Sequence, residues 1–182
     1  MPAMLSSGDG VSKPRLRSLL HCDGRAARLN DWLFSTTMSI HKQSEELNSE
    51  ERERLRELAR VAAAHAYAPY SGFRVGAALL LDDGTVVVGC NVENCSYRLT
   101  SCAEQGAIAR AVAEFGPKIR VRAVAVANLN AAASMPCGAC RQTLSEFGAD
   151  AMVVLYPGEG GAMEETTLGE LLPHAFRMEY LS

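Results

Sequence analysis

The sequence predicts an α/β domain in which a β-hairpin leads into a mixed sheet with helices on its faces. Three observations predict it. A strongly amphipathic helical pattern begins at Asn48, two β-rich runs flank the turn sequence DDG, and beyond them helix and strand patterns alternate towards the C-terminus.

Taken in order, residues 1–47 differ in texture from everything after them. Arg15, Arg17, Arg25 and Arg28 are scattered among serines and small residues with no sustained period, so this stretch is expected to be a flexible extension outside the core. Its Arg and Ser content also fits an organellar leader. Asp9, Asp23 and Asp31 count against that reading, and the expected compartment is the cytoplasm. Met38 is an alternative start, and a single domain is expected over 48–182.

NSEERERLRELARVAAAHAY begins with a capping Asn, carries acids in its first turn and sets Leu55, Leu58 and Ala62 at helical spacing. It predicts an amphipathic helix that APYSG terminates. FRVGAALLL and TVVVGCNVE, joined through DDG, predict an antiparallel hairpin. SCAEQGAIARAV opens a second helix, VRAVAVANL reads as a buried strand, and CGACRQTLSEF as a short helix ended by Gly148. AMVVLY is a further strand and TTLGELLPHAF a short closing helix. Strand, helix, strand, helix, strand is the order of parallel crossover units.

Composition narrows the function. The 182 residues can bury a core without disulfide staples, and 48% apolar with 21% charged residues is the balance of a globular domain. No apolar run approaches the roughly 20 residues of a membrane helix, so no membrane partner is expected. A net charge of −3 and an aromatic content of 6% argue against nucleic acid, which calls for a basic surface and stacking platforms. Six cysteines would suit a small secreted disulfide scaffold, but this chain is larger and its first residues lack the compact hydrophobic stretch of a secretory signal. Reduced thiols, free to bind metal, are expected instead.

The thiols fall into a pattern. MPCGACRQ supplies Cys137 and Cys140 as C-x-x-C directly after Pro136, which suits a first helical turn, and Cys102 stands at another predicted helix start. Helix N-termini favour thiolate over thiol, and helices of crossover units begin at one edge of the sheet, so three sulfurs can converge there. Three thiolates suit Zn²⁺, and a three-ligand site with the last position left to water is the catalytic form. Cys95 is a possible fourth ligand that would close the site, and a redox C-x-x-C is the other reading of the pair. Cys22 and Cys90 are read as an extension residue and a strand residue. Ser101-Cys-Ala-Glu104 fits a capping box, but a carboxylate two residues from a metal-binding thiol is also placed to exchange protons with water at the metal.

YAPYSGFRVGAALL, GCNVENCSY, SCAE and PCGACRQ, in this order, resemble the small zinc-dependent cytidine deaminases that act on free nucleosides. The resemblance runs from about Asn48 to the C-terminus. It implies a three-layer α/β/α sandwich around a five-stranded mixed sheet, usually assembled as a homotetramer. It implies one Zn²⁺ per subunit on Cys102, Cys137 and Cys140, with Glu104 carrying protons between water and the pyrimidine. By the same likeness Asn91 and Glu93 would hold the ribose hydroxyls, and alternation along their strand would put both side chains on one face. Phe73 would lie against the base, Tyr97 would reach across a subunit boundary, and backbone groups near Ala103 and Ser134 would read the pyrimidine. The implied reaction is hydrolysis of cytidine and 2′-deoxycytidine to uridine and 2′-deoxyuridine, a step of pyrimidine salvage. Where the family often has Arg after the catalytic Glu, this chain has Gln105, which leaves Arg141 as the available cationic donor beside the thiolates. Three other readings compete: a deaminase of an aminopyrimidine antibiotic, an editing enzyme for polynucleotides, and a zinc-stabilised binding module without activity.

Overall fold

Period-2 alternation along the strands decides which side chains meet which helix. The computed structural model describes residues 46–178, and the readings made for residues 1–45, Cys22 and Met38 among them, lie outside that range. The helices are α1 (Ser49–Ala63), α2 (Ala103–Phe115), α3 (Gly138–Ser145) and α4 (Leu168–Leu171). The strands are β1 (Val75–Leu81), β2 (Val86–Cys90), β3 (Val121–Asn128), β4 (Gly148–Pro157) and β5 (Met163–Thr167), in sheet order β2-β1-β3-β4-β5. Ala77, Leu79, Val124, Val126 and Val154 turn to one face and pack with Ala107, Ile108, Leu144 and Leu168 of α2, α3 and α4. Ala78, Leu80, Ala123, Ala125 and Leu155 turn to the other and pack with Leu55 and Ala59 of α1. Both faces of the sheet are therefore buried, which is why its central strands read as unbroken apolar runs. The result is the expected α/β/α sandwich on a five-stranded mixed sheet. Leu47 is also buried in the α1-side cluster, so the core begins just before the helix.

The boundaries shift where local chemistry outweighs pattern. Asn48 caps α1 through a reciprocal pair: its Oδ1 accepts from Glu51 N at 2.8 Å and its own N–H donates to Glu51 Oε2 at 3.1 Å. A cap of this kind contributes about 1 kcal/mol. The helix stops at Ala63, earlier than its sequence pattern, and Tyr67 instead bridges Val92. The hairpin turn closes as expected, with Gly84 at φ 86° and Asp83 Oδ1 accepting from Thr85 N at 2.9 Å. Its strands are shorter than predicted: β1 starts only at Val75, and β2 ends at Cys90. Gly148 does not end α3 but opens β4, since α3 is capped at Glu146.

The fifth strand has no apolar signature. Met-Glu-Glu-Thr-Thr pairs antiparallel with β4, from Val153 opposite Thr167 to Pro157 opposite Met163. It lies at the sheet edge, where acids discourage pairing with another chain.

This topology sets the site. β2 and β3 each pair antiparallel with β1, so they run parallel to each other, and β3 is parallel to β4. The connections out of β2 and β3 thus leave from one edge of the sheet, and the N-termini of α2 and α3 meet there. A glycine controls how near α2 comes. A Cβ on Gly89 would stand 2.4 Å from Ala107 N and 2.7 Å from Ala103 O, both backbone atoms of the helix. Gly76 meets α1 in the same way, with Ala59 O at 2.0 Å.

We expect Gly89→Ala to destabilise the fold by about 1–3 kcal/mol, because backbone must move to admit one methyl group. Gly138→Ala, whose added Cβ meets nothing within 4 Å, should leave stability unchanged or slightly raised. Urea unfolding of both variants checks this, and equal midpoints would contradict it.

Candidate functional site

Two helix starts and one turn carry the sulfurs. Cys102 is the N-cap of α2, Cys137 is the N-cap of α3, and Cys140 lies in the first turn of α3. Pro136 therefore precedes the cap, one position before the first-turn place that the sequence suggested. Cys140 is buried, Cys102 is half-buried and Cys137 is exposed. The three Sγ atoms all lie within 4.8 Å of one another, and those of Cys102 and Cys137 are 3.9 Å apart. A tetrahedral zinc with Zn–S near 2.3 Å sets its sulfurs about 3.8 Å apart, so the cage fits with little adjustment. Soft thiolates are also the right donors for that ion. Among the described residues no other group of three metal-binding side chains occurs. Cys95 is exposed, and its thiol points to Asn94 Oδ1 at 3.6 Å rather than joining the cage.

Without a cation the sulfurs share protons unequally. Cys102 is pulled down to about 7, chiefly because the Cys140 thiol donates to it, while burial and the nearby Glu104 oppose the drop. Cys140 is pushed up by that same hydrogen bond, then by burial and the adjoining negative charge. A bound cation takes the place of those protons.

Glu104 occupies the second position of α2 and is only 4% exposed. Burial raises its carboxyl above the usual carboxylate range, against opposing hydrogen bonds from its own backbone N–H and from Cys140. The capping box expected from Ser101 to Glu104 is displaced by one residue. Cys102 is the cap, and its N–H donates to Gln105 Oε1 over a long 3.4 Å. Gln105 thus serves the helix end, and Glu104 is released to face the cavity.

That cavity, of about 320 Å³, is lined by Cys102, Cys137, Glu104, Phe73, Asn91 and Ala103 among others. The volume is at the small end of the ligand-cleft range, about 300–1,000 Å³. Asn91 is buried and clasps the approach to β1: Nδ2 donates to Phe73 O at 2.9 Å, and Oδ1 accepts from Val75 N at 2.8 Å. One amide hydrogen and one lone pair remain for a ligand. Glu93 is not among the cavity-lining residues. The chain leaves the strand at Cys90, and the Glu93 carboxylate accepts from Tyr70 N at 2.8 Å, Ser71 N at 3.2 Å and the Ser71 hydroxyl. These bonds, the Ser71 hydroxyl foremost, hold its carboxyl below the usual range. The strand proper ends at Cys90, but Val92 bridges both Tyr67 and Ser101, so the backbone from Asn91 to Glu93 stays extended beyond it. Tyr97 is 76% exposed and stands edge-on to Tyr70, ring centres 6.3 Å apart, outside the cavity lining.

Sequence reasoning missed Thr100, Ser101 and Met135 in the lining, and Asn128, which bonds the lining residue Ser134. Asn128 Nδ2 donates to Ser134 Oγ at 2.6 Å and to Ala132 O, while its Oδ1 accepts from Asn130 N at 2.8 Å. It shapes the loop in which Ala131 takes φ 52°, and its only signal was an Asn at a strand end.

Comparisons with known proteins point the same way. The family described as the cytidine and deoxycytidylate deaminase zinc-binding region matches residues 49–156. The chain is 48% identical over 121 residues to a cytidine deaminase of Sporosarcina psychrophila, covering 66% of this chain and 88% of that one. It is 46% identical over 127 residues to a cytidine deaminase of Mycobacterium tuberculosis, covering 70% and 90%. The crystal structure of cytidine deaminase from Burkholderia pseudomallei superposes with a TM-score of 0.63 at 45% identity, covering 68% of this chain and 98% of that one.

Metal analysis of the purified protein should find one zinc per chain. Cys137→Ala should lose most of it, and Cys95→Ala should keep it, since that thiol lies outside the cage. Loss of zinc from Cys95→Ala would mean that the site is closed by a fourth sulfur.

Proposed function

Because the chain belongs to the cytidine and deoxycytidylate deaminase family, we propose that it hydrolyses cytidine and 2′-deoxycytidine to uridine and 2′-deoxyuridine, releasing ammonia in pyrimidine salvage. One observation carries the reading: a buried carboxylate and two members of the three-sulfur cluster, Cys102 and Cys137, line the same small cavity. On this reading residues 48–182, with Leu47 in their core, are the catalytic domain, and the residues before Leu47 are an extension. The five described cysteines are free thiols, which supports a reducing compartment such as the cytoplasm.

Cys102, Cys137 and Cys140 would hold the ion. Zinc bound there supplies a Lewis acid that lets a water molecule lose a proton near neutral pH. Glu104 accepts that proton and delivers it to N3 of the pyrimidine, which makes C4 more electrophilic. The water oxygen then bonds to C4. Glu104 takes the second proton of the former water and passes it to the C4 amino group, the C4–N bond breaks, and ammonia leaves. Both protons of one water are accounted for, one on N3 and one on ammonia. Phe73 packs against the base, Asn91 offers its spare donor and acceptor to the ribose, and backbone groups at Ala103 and Ser134 meet the pyrimidine edge. Glu93, held by its bonds to the 70–71 turn, offers its remaining acceptor capacity to the ribose hydroxyls.

The assembly proposed is a homotetramer in which Tyr97 reaches a neighbouring subunit's cavity. Support comes from the exposure of Tyr67, Tyr70, Tyr97 and Leu99, large apolar groups of the kind that interfaces cover. Sedimentation should give four times the chain mass, and Tyr97→Asp should lower it.

For Glu104→Gln we expect unchanged zinc content and a fall in kcat of about 100-fold or more, the usual weight of a positioned proton carrier. The ultraviolet change of cytidine and a coupled ammonia assay measure it. A zinc-loaded Gln variant at full rate would remove Glu104 from the mechanism, and a zinc-loaded wild type inert towards every aminopyrimidine would favour a binding module.

A further inference from the structure

Arg141 follows the last sulfur ligand directly, and its guanidinium bonds two backbone carbonyls and a thioether. Nε donates to Pro136 O at 2.7 Å, Nη1 donates to Leu171 O at 2.9 Å, and Nη2 lies 3.1 Å from Met135 Sδ. The three contacts join two segments that are far apart in sequence. Pro136 is fully buried and sits just before the Cys137 cap, so its carbonyl falls outside the helical ladder and needs a donor. Leu171 is the last residue of α4, where carbonyls have no following turn to bond them and where a cation is favoured. Met135 lines the cavity.

The far end of this link is firmly seated. Leu168 of α4 is buried in the inner cluster, and the Thr167 hydroxyl accepts from Glu170 N at 3.3 Å while Glu170 Oε2 accepts from Thr167 N at 3.0 Å. Gly169 lies flat on β4, where a Cβ would come within 3.0 Å of the Asp150 side chain. The next residue of α3 adds a second strap: Gln142 Nε2 donates to Phe176 O at 2.8 Å. Residues 168–176 are thus bonded to the first two turns of the helix that supplies two of the three sulfurs.

We propose that Arg141 is a positioning residue whose fork clamps the Cys137 loop to the C-terminal segment, making residues 168–176 a brace that sets how tightly the cage holds its ion. The inference rests on the three-sulfur zinc reading above. Lysine carries the same charge but cannot span a carbonyl on each side with fixed, planar donors. Charge and clamp therefore separate by substitution.

The test uses the full-length, zinc-loaded protein and follows zinc transfer to a chromophoric chelator. Arg141→Lys and Arg141→Met should both release zinc about 10-fold faster or more, the usual cost of losing a support for a ligand. The visible bands of their cobalt-substituted forms should shift alike. Release at the wild-type rate in Arg141→Lys would show that charge alone suffices and would overturn the clamp, as would wild-type release in both variants. A measurement on the unaltered protein covers variants that fail to fold. Coupling is reciprocal, so stripping zinc should speed amide exchange across 168–176 by about 10-fold beyond any change in β1. Exchange there that ignores the metal would overturn the brace. A wild type that purifies without zinc and takes none up would instead overturn the site reading itself.

Discussion

Three sulfurs gathered within 4.8 Å of one another cannot all be anions unless a cation sits among them. Two unit charges 4 Å apart repel by about 4 kcal/mol at an effective dielectric of 20, so three thiolates would cost on the order of 10 kcal/mol. A whole domain is stable by only about 5–15 kcal/mol. Two helix N-termini offset a small part of this, typically about 0.3–1 kcal/mol each. The cage must therefore either keep protons, as Cys140 does when no ion is bound, or take a divalent cation. The surrounding architecture serves the second state.

It does so by converging helix starts rather than by a dedicated loop. The parallel relation of β2, β3 and β4 leaves α2 and α3 starting at one edge, and the close contact at Gly89 draws the first turn of α2 onto the sheet. That turn carries both a sulfur and Glu104. The geometry of ligand and carboxylate is thus set by backbone packing, which is stiff, rather than by long side chains, which are not.

Polar groups around the cavity divide into those that shape it and those that face it. Gln105 closes the end of α2, Glu93 holds the 70–71 turn, Asn128 folds the loop after β3, and Asn91 does both, clasping residues 73 and 75 while lining the cavity. A resemblance to a family gives such residues one role each. Hydrogen-bond bookkeeping shows why several of them also have another: a buried loop has backbone groups to satisfy, and nearby side chains supply the partners.

The sequence alone determined the layers, the hairpin and the cluster of Cys102, Cys137 and Cys140 with Glu104 nearby. Apolar alternation, DDG with its left-handed glycine, and C-A-E with P-C-x-x-C are local patterns whose consequences are local. It did not reveal β5, because an edge strand of Glu and Thr buries too little to need an apolar pattern. Nor did it place the cap of α2 at Cys102, bond Glu93 to the 70–71 turn, or join Arg141 to Leu171, thirty residues downstream. Those outcomes depend on which backbone groups are left without partners once the sheet and helices have packed, and that is a property of the assembled structure.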